Sequence, residues 1–515
     1  MIRIAIIGAG ASGLTSATAA LAEGMIPCIF EMSNRIGGVW GPDLRAPSDQ
    51  GSAWPGMKVN ISRHTGTFSN FNWPQNTPDF PTTQQVYDYL HDYAEYFELF
   101  PYIRFGCRVI EVLECDGKWL IRWQEDKTTL KEELFDSIII ATSKFTNPYT
   151  PNFNGLEQFK GKKLHSAQYK SAEEFINKRV LIVGGSLSGT SIAEEVAKKT
   201  DVIHLFRKER WVIKRYRSSD PQNHGPFLPR DLLKTYESVQ VSLSKEEQYQ
   251  LMLQHCSEQN EFPEWYMSPS SPVGFVVADE YFQEVRSGKL KLIRGEIDHF
   301  LNSSVVLEDG RSINDFDVVI FCTGYERDLS FLPEQLRLKP TTTLYEDTFP
   351  IDAKNLAYIG MYPGARGAVF PLVELQARYA CGVFSGRLKL PSIETMKEEI
   401  ANTPKDRDEI KFSTSLAQKL EVIPQLNSYH WSIRRMLLGA YTPARFRLEG
   451  FHSDSKAALK SIEETECYRR RLLRAHDKIP TLASMCLFKV HQYKKQQEES
   501  LEKGDTCSCI CHNPN

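Results

Sequence analysis

Short apolar runs of strand length recur along the chain, and twice they fall into the same order. Arg3 to Ile7 is followed by an alanine-rich stretch of helical character that reaches Leu21 and stops at Gly24, and then by the run Pro27 to Phe30. Far downstream, Arg179 to Val183 is followed by Ser188 to Lys199, whose Ile192 and Val196 share one helix face, and by Val202 to Phe206. Apolar runs without polar alternation predict parallel strands buried on both faces. Each half then carries a hairpin signal, one at Asp116-Gly117 within Val109 to Trp123 and one at Asp309-Gly310. A last apolar run closes each half, Phe135 to Thr142 and Phe316 to Thr323. The pattern predicts an α/β fold built from two copies of one strand–helix–strand plan.

The residues between the first strand and helix of each copy carry the chemistry. Gly8-Ala9-Gly10-Ala11-Ser12-Gly13 is a complete G-x-G-x-x-G, and the next strand ends in the acid Glu31, which suits a ribose hydroxyl. The second copy has Gly184 and Gly189, with Ser186 where the middle glycine is expected and Ser188, Thr190 and Ser191 in the first turns of the helix. Free N–H groups and the dipole at each helix start favour a pyrophosphate. The second strand of this copy ends in Arg207, with Lys208 and Arg210 beside it. A cation there suits a 2′-phosphate, so NADPH is expected over NADH. Two Rossmann-like sites in one chain imply two cofactors exchanging electrons.

Phe159 to Tyr169 reads F-x-G-x-x-x-H-x-x-x-Y. This resembles the fingerprint of the flavin-containing monooxygenases; the related Baeyer–Villiger enzymes usually have Trp at the position of Tyr169. Arg35-Ile36-Gly37-Gly38-Val39-Trp40 is similar to the GG motif of two-dinucleotide flavoproteins, which implies FAD at the first site with Gly38, Val39 and Trp40 against it. Phe68-Ser69-Asn70-Phe71-Asn72-Trp73-Pro74 resembles the family's aromatic and proline stretch, which follows an asparagine near the flavin. On that alignment Asn60 is the functional asparagine, with Ile61 beside it. The resemblance continues through Thr323-Gly324-Tyr325, through the segment from Leu356 to Leu390 that contains Gln376, and through Arg445 to Gly450. It departs at Cys322 and at Ser143, which takes the place of a glycine after Thr142.

The resemblance implies an FAD domain made from both ends of the chain with an NADPH domain inserted. The expected parts are residues 1–165, then 166–325 with an insertion at about 216–274, then 326–465, and a charged helical extension at 466–515. It further implies that NADPH reduces FAD, that a C4a-hydroperoxyflavin forms with O2, and that a soft nitrogen or sulfur nucleophile takes the distal oxygen. Asn60 is the expected catalytic side chain, holding the flavin adduct and NADP⁺. His165 is expected to belong to the linker and cofactor architecture.

Composition narrows the remaining classes. The chain has 515 residues, 41% hydrophobic and 25% charged, with a net charge of −3, as in a globular protein large enough for two or three domains. The basic residues form no long stripe, so no nucleic-acid partner is expected. No apolar run has the length of a membrane span and the N-terminus enters a strand at once, so a cytoplasmic enzyme without a targeting peptide is expected. The expected partners are a small amine or thioether and O2, with a homo-oligomer left open. The eleven cysteines are scattered, as reduced thiols are, and the crowded Cys507-Ser508-Cys509-Ile510-Cys511-His512 tail is expected to hold no metal. Three rival functions share parts of this pattern: a Baeyer–Villiger monooxygenase acting on ketones, a non-catalytic redox-sensing flavoprotein, and a disulfide reductase, which lacks its cysteine pair near Gly37-Gly38.

Overall fold

The computed structural model describes residues 1–41, 53–125, 128–217, 228–233, 244–269, 271, 274–339, 343–362, 367–404 and 409–474. The Cys507 to His512 tail and, within the expected 216–274 insertion, residues 218–227, 234–243, 270 and 272–273 lie outside these residues.

Two five-stranded parallel sheets carry the fold. The first has the order Leu356–Tyr358, Ser137–Ile140, Arg3–Ile7, Ile26–Phe30 and Ile103–Arg104. The second has the order Lys162–His165, Val318–Phe321, Val180–Val183, Val202–Phe206 and Leu290–Arg294. Read this way, the two orders are the same in four places: closing strand, first strand, second strand, third strand. They differ only in where the outermost strand comes from. In the first sheet it arrives after the whole second sheet, at Leu356–Tyr358, and in the second it precedes the sheet's other four strands.

That exchange moves a boundary. Lys162–His165, inside the F-x-G-x-x-x-H-x-x-x-Y stretch, pairs with Val318–Phe321 and so belongs to the second sheet. The crossing between domains therefore lies upstream of residue 162 rather than at 165. It is marked by a small antiparallel pair, Asn147–Pro148 with Tyr325–Glu326, in which the outgoing and returning chains meet. The Thr323 hydroxyl donates to the Tyr149 carbonyl beside it.

The strands are the apolar runs, and they are buried as such. Ile4, Ile6, Ile138, Ile139, Ile140, Val180, Leu181 and Ile182 have 0% exposure, each contributing about 1.5–3 kcal/mol by burial. Ala11–Ala22 lies against Val369–Phe384, and the Cys381 thiol meets the Ser16 carbonyl at 3.6 Å. Small alanines on the first helix let the second come close. Each hairpin is a three-stranded antiparallel sheet, Cys107–Cys115 with Lys118–Glu125 and Thr129–Phe135, and Ile297–Phe300 with Ser304–Leu307 and Ser312–Asn314. At the first turn Asp116 and Gly117 both have positive φ, 50° and 75°, as a two-residue hairpin requires.

The expected boundary at 466 falls inside one helix, Ser455–Arg474. Ala458 and Ile462 pack on Leu437, Ala444 and Leu448, and Thr465 and Glu466 are buried, so the described part of the extension belongs to the globule.

Candidate cofactor and oxygenation site

Both glycine loops have the geometry their spacing demands. A Cβ on Gly13 would lie 1.8 Å from the Gly8 carbonyl oxygen, and one on Gly189 would lie 1.7 Å from that of Gly184. In each copy, therefore, only glycine lets the helix sit this close to the strand. Gly8 and Gly184 take φ of 108° and 125°. Gly10 and Ser186 occupy the N-cap positions, and neither helix has a side-chain cap there, which leaves the first N–H groups for an anion. Ser186 and Arg207 are exposed, while Ala11, Ser12 and Ser188 are half-buried at the loops.

The GG motif closes over the first loop backbone to backbone. The Gly37 N–H donates to the Ala9 carbonyl at 2.9 Å, and a Cβ on Gly38 would stand 3.3 Å from the Gly10 Cα. The Val39 carbonyl accepts from Ala53 N–H at 2.8 Å, and Trp40 packs on the first core. Glu31 is buried; one oxygen accepts from Ala9 N–H at 2.8 Å, and the other takes both the N–H and the hydroxyl of Ser33. A carboxylate has about four lone-pair sites, so one remains for a ribose hydroxyl. The buried Thr142 hydroxyl, next to Gly8, has no partner among the described residues. These features fit FAD at the first loop and NADPH at the second.

Other expected contacts turn inward. Thr190 has 0% exposure, and Ser191 is half-buried with its hydroxyl 3.5 Å from the Val277 carbonyl, because both lie on the helix face that packs on the fold. Gln376 also has 0% exposure. Its amide accepts from Gly360 N–H at 3.0 Å and donates to the Asp347 carbonyl and the Thr348 hydroxyl at 2.9 and 3.0 Å. Its amide thus fixes Gly360, where a Cβ would come 2.8 Å from the Ser12 hydroxyl.

Asn60 and Ile61 are half-buried in a loop at the junction of the two domains. On one side Trp54 enters the core of the second domain, its indole donating to Glu195 at 2.5 Å and standing edge-on to Tyr169 at 5.6 Å. On the other, Arg215 donates to Asn60 Oδ1 at 3.2 Å and Arg230 donates to the Asn60 carbonyl at 2.6 Å. Asp231 accepts from the hydroxyls of Ser62 and Thr65. Arg215, together with Arg230 and Asp231 from the expected insertion, thus clamps this loop. None of Trp54, Arg215, Arg230 or Asp231 stood out in the sequence, since each acts on residues far away along the chain.

Two histidines are structural. His165 Nδ1 accepts from Ala167 N–H at 3.2 Å and its ring meets Tyr325 edge-on; burial brings its pKa down to about 4. His204 lies under the second loop, 2.9 Å from the Gly184 carbonyl and 2.6 Å from the Tyr281 hydroxyl, and burial lowers it to about 4 as well. Ser143 avoids the left-handed backbone that its counterpart Gly324 takes at φ 96°, and its hydroxyl accepts from Phe145 N–H at 3.0 Å. No helix among the described residues is long and apolar enough to cross a membrane.

The sequence profile of the flavin-binding monooxygenase-like family matches residues 1–434. The chain belongs to that family. Flavin-containing monooxygenase 5 of Rattus norvegicus is 30% identical over 481 residues, 87% of this chain and 89% of the relative. Dimethylaniline monooxygenase [N-oxide-forming] 2 of Oryctolagus cuniculus is 31% identical, over 81% and 80% of the two chains. Among solved structures, S-allyl-L-cysteine S-oxygenase from Allium sativum superposes with a TM-score of 0.58 at 22% identity, covering 90% of this chain and 98% of its own. An open cyclohexanone monooxygenase does so at 0.59 and 16% identity, covering 81% and 98%. This member of the family is an FAD-dependent monooxygenase that uses NADPH.

Proposed function

We propose that this monooxygenase oxygenates soft nitrogen or sulfur atoms of small amines and thioethers, with Asn60 as the side chain that acts at the flavin. The observation that carries the reading is the position of Asn60: a carboxamide held at the junction of the FAD and NADPH domains, with its oxygen engaged by Arg215. When bound, FAD accepts hydride from NADPH and activates O2. The chain's own residues do the rest. Gly8 to Gly13 and Ser186 to Gly189 receive the two pyrophosphates, Gly38, Val39 and Trp40 border the first cofactor, and Arg207 receives the 2′-phosphate. Asn60 would present N–H donors too weakly acidic to give up a proton, so it could hydrogen-bond a bound flavin without acting as an acid. Residues upstream of the Asn147–Pro148 crossing, together with the returning segment 326–465, form the FAD domain, as the packing of Ile410, Phe412, Leu416 and Phe446 in one core with Ile4 and Ile6 supports, and the cytoplasm is its proposed place.

The names of the relatives, an N-oxide-forming dimethylaniline monooxygenase and an S-oxygenase, support nitrogen and sulfur over ketones. Methyl p-tolyl sulfide, N,N-dimethylaniline and cyclohexanone, each given with NADPH and O2 to the purified enzyme, separate the two chemistries. Sulfoxide and N-oxide without lactone are expected. Lactone as the main product would assign the chain to the ketone-oxidising group instead.

A further inference from the structure

A carboxamide has one acceptor and two donors, and the direction it faces decides what it can do. Around Asn60 that direction is set by chemistry. A guanidinium only donates, so the atom 3.2 Å from Arg215 Nη2 has to be Oδ1 and not Nδ2. The same guanidinium is held on every side. Nε donates to the Val59 carbonyl at 2.9 Å, Nη2 also to the Lys58 carbonyl at 3.1 Å, and Nη1 to Asp279 at 2.8 Å. The other Asp279 oxygen accepts from the Arg215 backbone N–H at 2.8 Å. Four of its five N–H groups are used, and the residue is 9% exposed.

We infer that Arg215 is the positioning residue for Asn60: by engaging Oδ1 it turns both Nδ2 N–H groups away from the clamp, toward whatever binds between the domains. No acceptor among the described residues takes those two N–H groups. The clamp is built by the second domain, since Arg215 follows the strand Trp211–Ile213, which pairs with Phe275–Val277, which in turn leads to Asp279. Asn60 belongs to the first. Its donor face is therefore set only when the two domains are docked. Lysine cannot replace this arginine, because a single ammonium cannot serve Asp279, two backbone carbonyls and an amide oxygen in one plane.

The inference rests on the proposed role of Asn60, and a substrate-free assay keeps it independent of which nucleophile is oxygenated. Holoenzymes of the wild type, Asn60→Ala, Arg215→Ala and the double variant are compared for H2O2 release during NADPH oxidation. Each single variant should release peroxide about tenfold faster, and the double variant should stay within about twofold of the faster single, as for residues acting as a unit. Losses that multiply would overturn the role of Arg215 alone, whereas an unchanged rate in Asn60→Ala would remove the role of Asn60 and this inference with it. Should Arg215→Ala fail to retain FAD, Arg215→Lys serves in its place. A crystal structure of either variant reads the geometry directly: a rotated or disordered Asn60 amide is expected, and an amide left in place would overturn the inference.

Discussion

Arg207 faces Glu296 at 3.2 Å with side chains 69% and 45% exposed, and a pair of that kind contributes about 0–1 kcal/mol. Its guanidinium can leave Glu296 for a phosphate at little cost. Arg207→Ala should therefore leave the melting temperature unchanged while the ratio of kcat/KM for NADPH over NADH falls about 10- to 100-fold, in line with the loss of one or two charge-assisted bonds. An unchanged ratio would transfer the 2′-phosphate to another cation. At this scale, residues whose place depends on a local spacing were legible in the sequence, namely the glycines of both loops and Glu31 at a strand end, whereas Asn60 was picked out by the family resemblance alone. Arg215 was not, because its partner Asn60 is 155 positions away and nothing in the run Lys214-Arg215-Tyr216-Arg217 distinguishes one cation from the next. Gln376 shows the opposite case, a residue placed by motif whose amide is engaged within the protein.

Strand–helix units are where alternation and glycine spacing carried the prediction, and where buried polar groups stayed hidden. His204 looked like any strand residue within Val202 to Phe206, yet it props the Gly184 carbonyl under the second loop. With folded pKa values of about 4 and an ordinary value of 6.5, His204 and His165 bind fewer protons folded than unfolded. Their contribution is complete above pH 6.5 and is lost as pH falls toward 4, by about 2 kcal/mol per ring at pH 5. Urea midpoints measured at pH 7.5 and pH 5 should fall for the wild type and fall less for His204→Gln. Equal pH dependence in the two proteins would show that the imidazole is not held neutral. One edge strand of each hairpin sheet, Thr129–Phe135 and Ile297–Phe300, escaped the sequence pattern, since partly exposed edge strands carry no continuous apolar run.

Across the whole molecule, three distant segments meet at one buried ion pair. Glu374, in the helix that returns to the first sheet, takes Arg447 at 2.6 Å and the N–H of Ser69 at 2.6 Å, and Arg447 Nε also donates to the Ser69 hydroxyl at 2.7 Å. Burial alone would raise the Glu374 pKa, but Arg447, Arg378 and Ser69 outweigh it and hold the carboxyl below the usual range. The sequence showed all three segments as motifs without showing that they touch. Arg447→Met should cost about 3–5 kcal/mol, because it strands a buried carboxylate, whereas the double change Glu374→Met with Arg447→Met should recover most of that loss. Chemical denaturation of the two variants checks this; an equally unstable double variant would mean that packing, not charge, is what Arg447 supplies. The same long-range logic explains the helix Ser455–Arg474, where Tyr468 donates to Asp79 at 2.7 Å and Asp79 pairs with His64 at 2.9 Å. A helix that reads as a charged extension thereby closes on the loop that follows Asn60.

The proposed chemistry is transfer of oxygen from O2 to a soft nucleophile at a bound flavin, with Asn60 as the side chain that acts there. A single-turnover balance tests it most directly: the holoenzyme is reduced anaerobically with one equivalent of NADPH, mixed with O2 and methyl p-tolyl sulfide, and assayed for sulfoxide and H2O2. Sulfoxide approaching one equivalent per flavin in the wild type, with peroxide replacing it in Asn60→Ala, is the predicted result. Peroxide without sulfoxide in the wild type, or equal sulfoxide yields in the two proteins, would contradict the account.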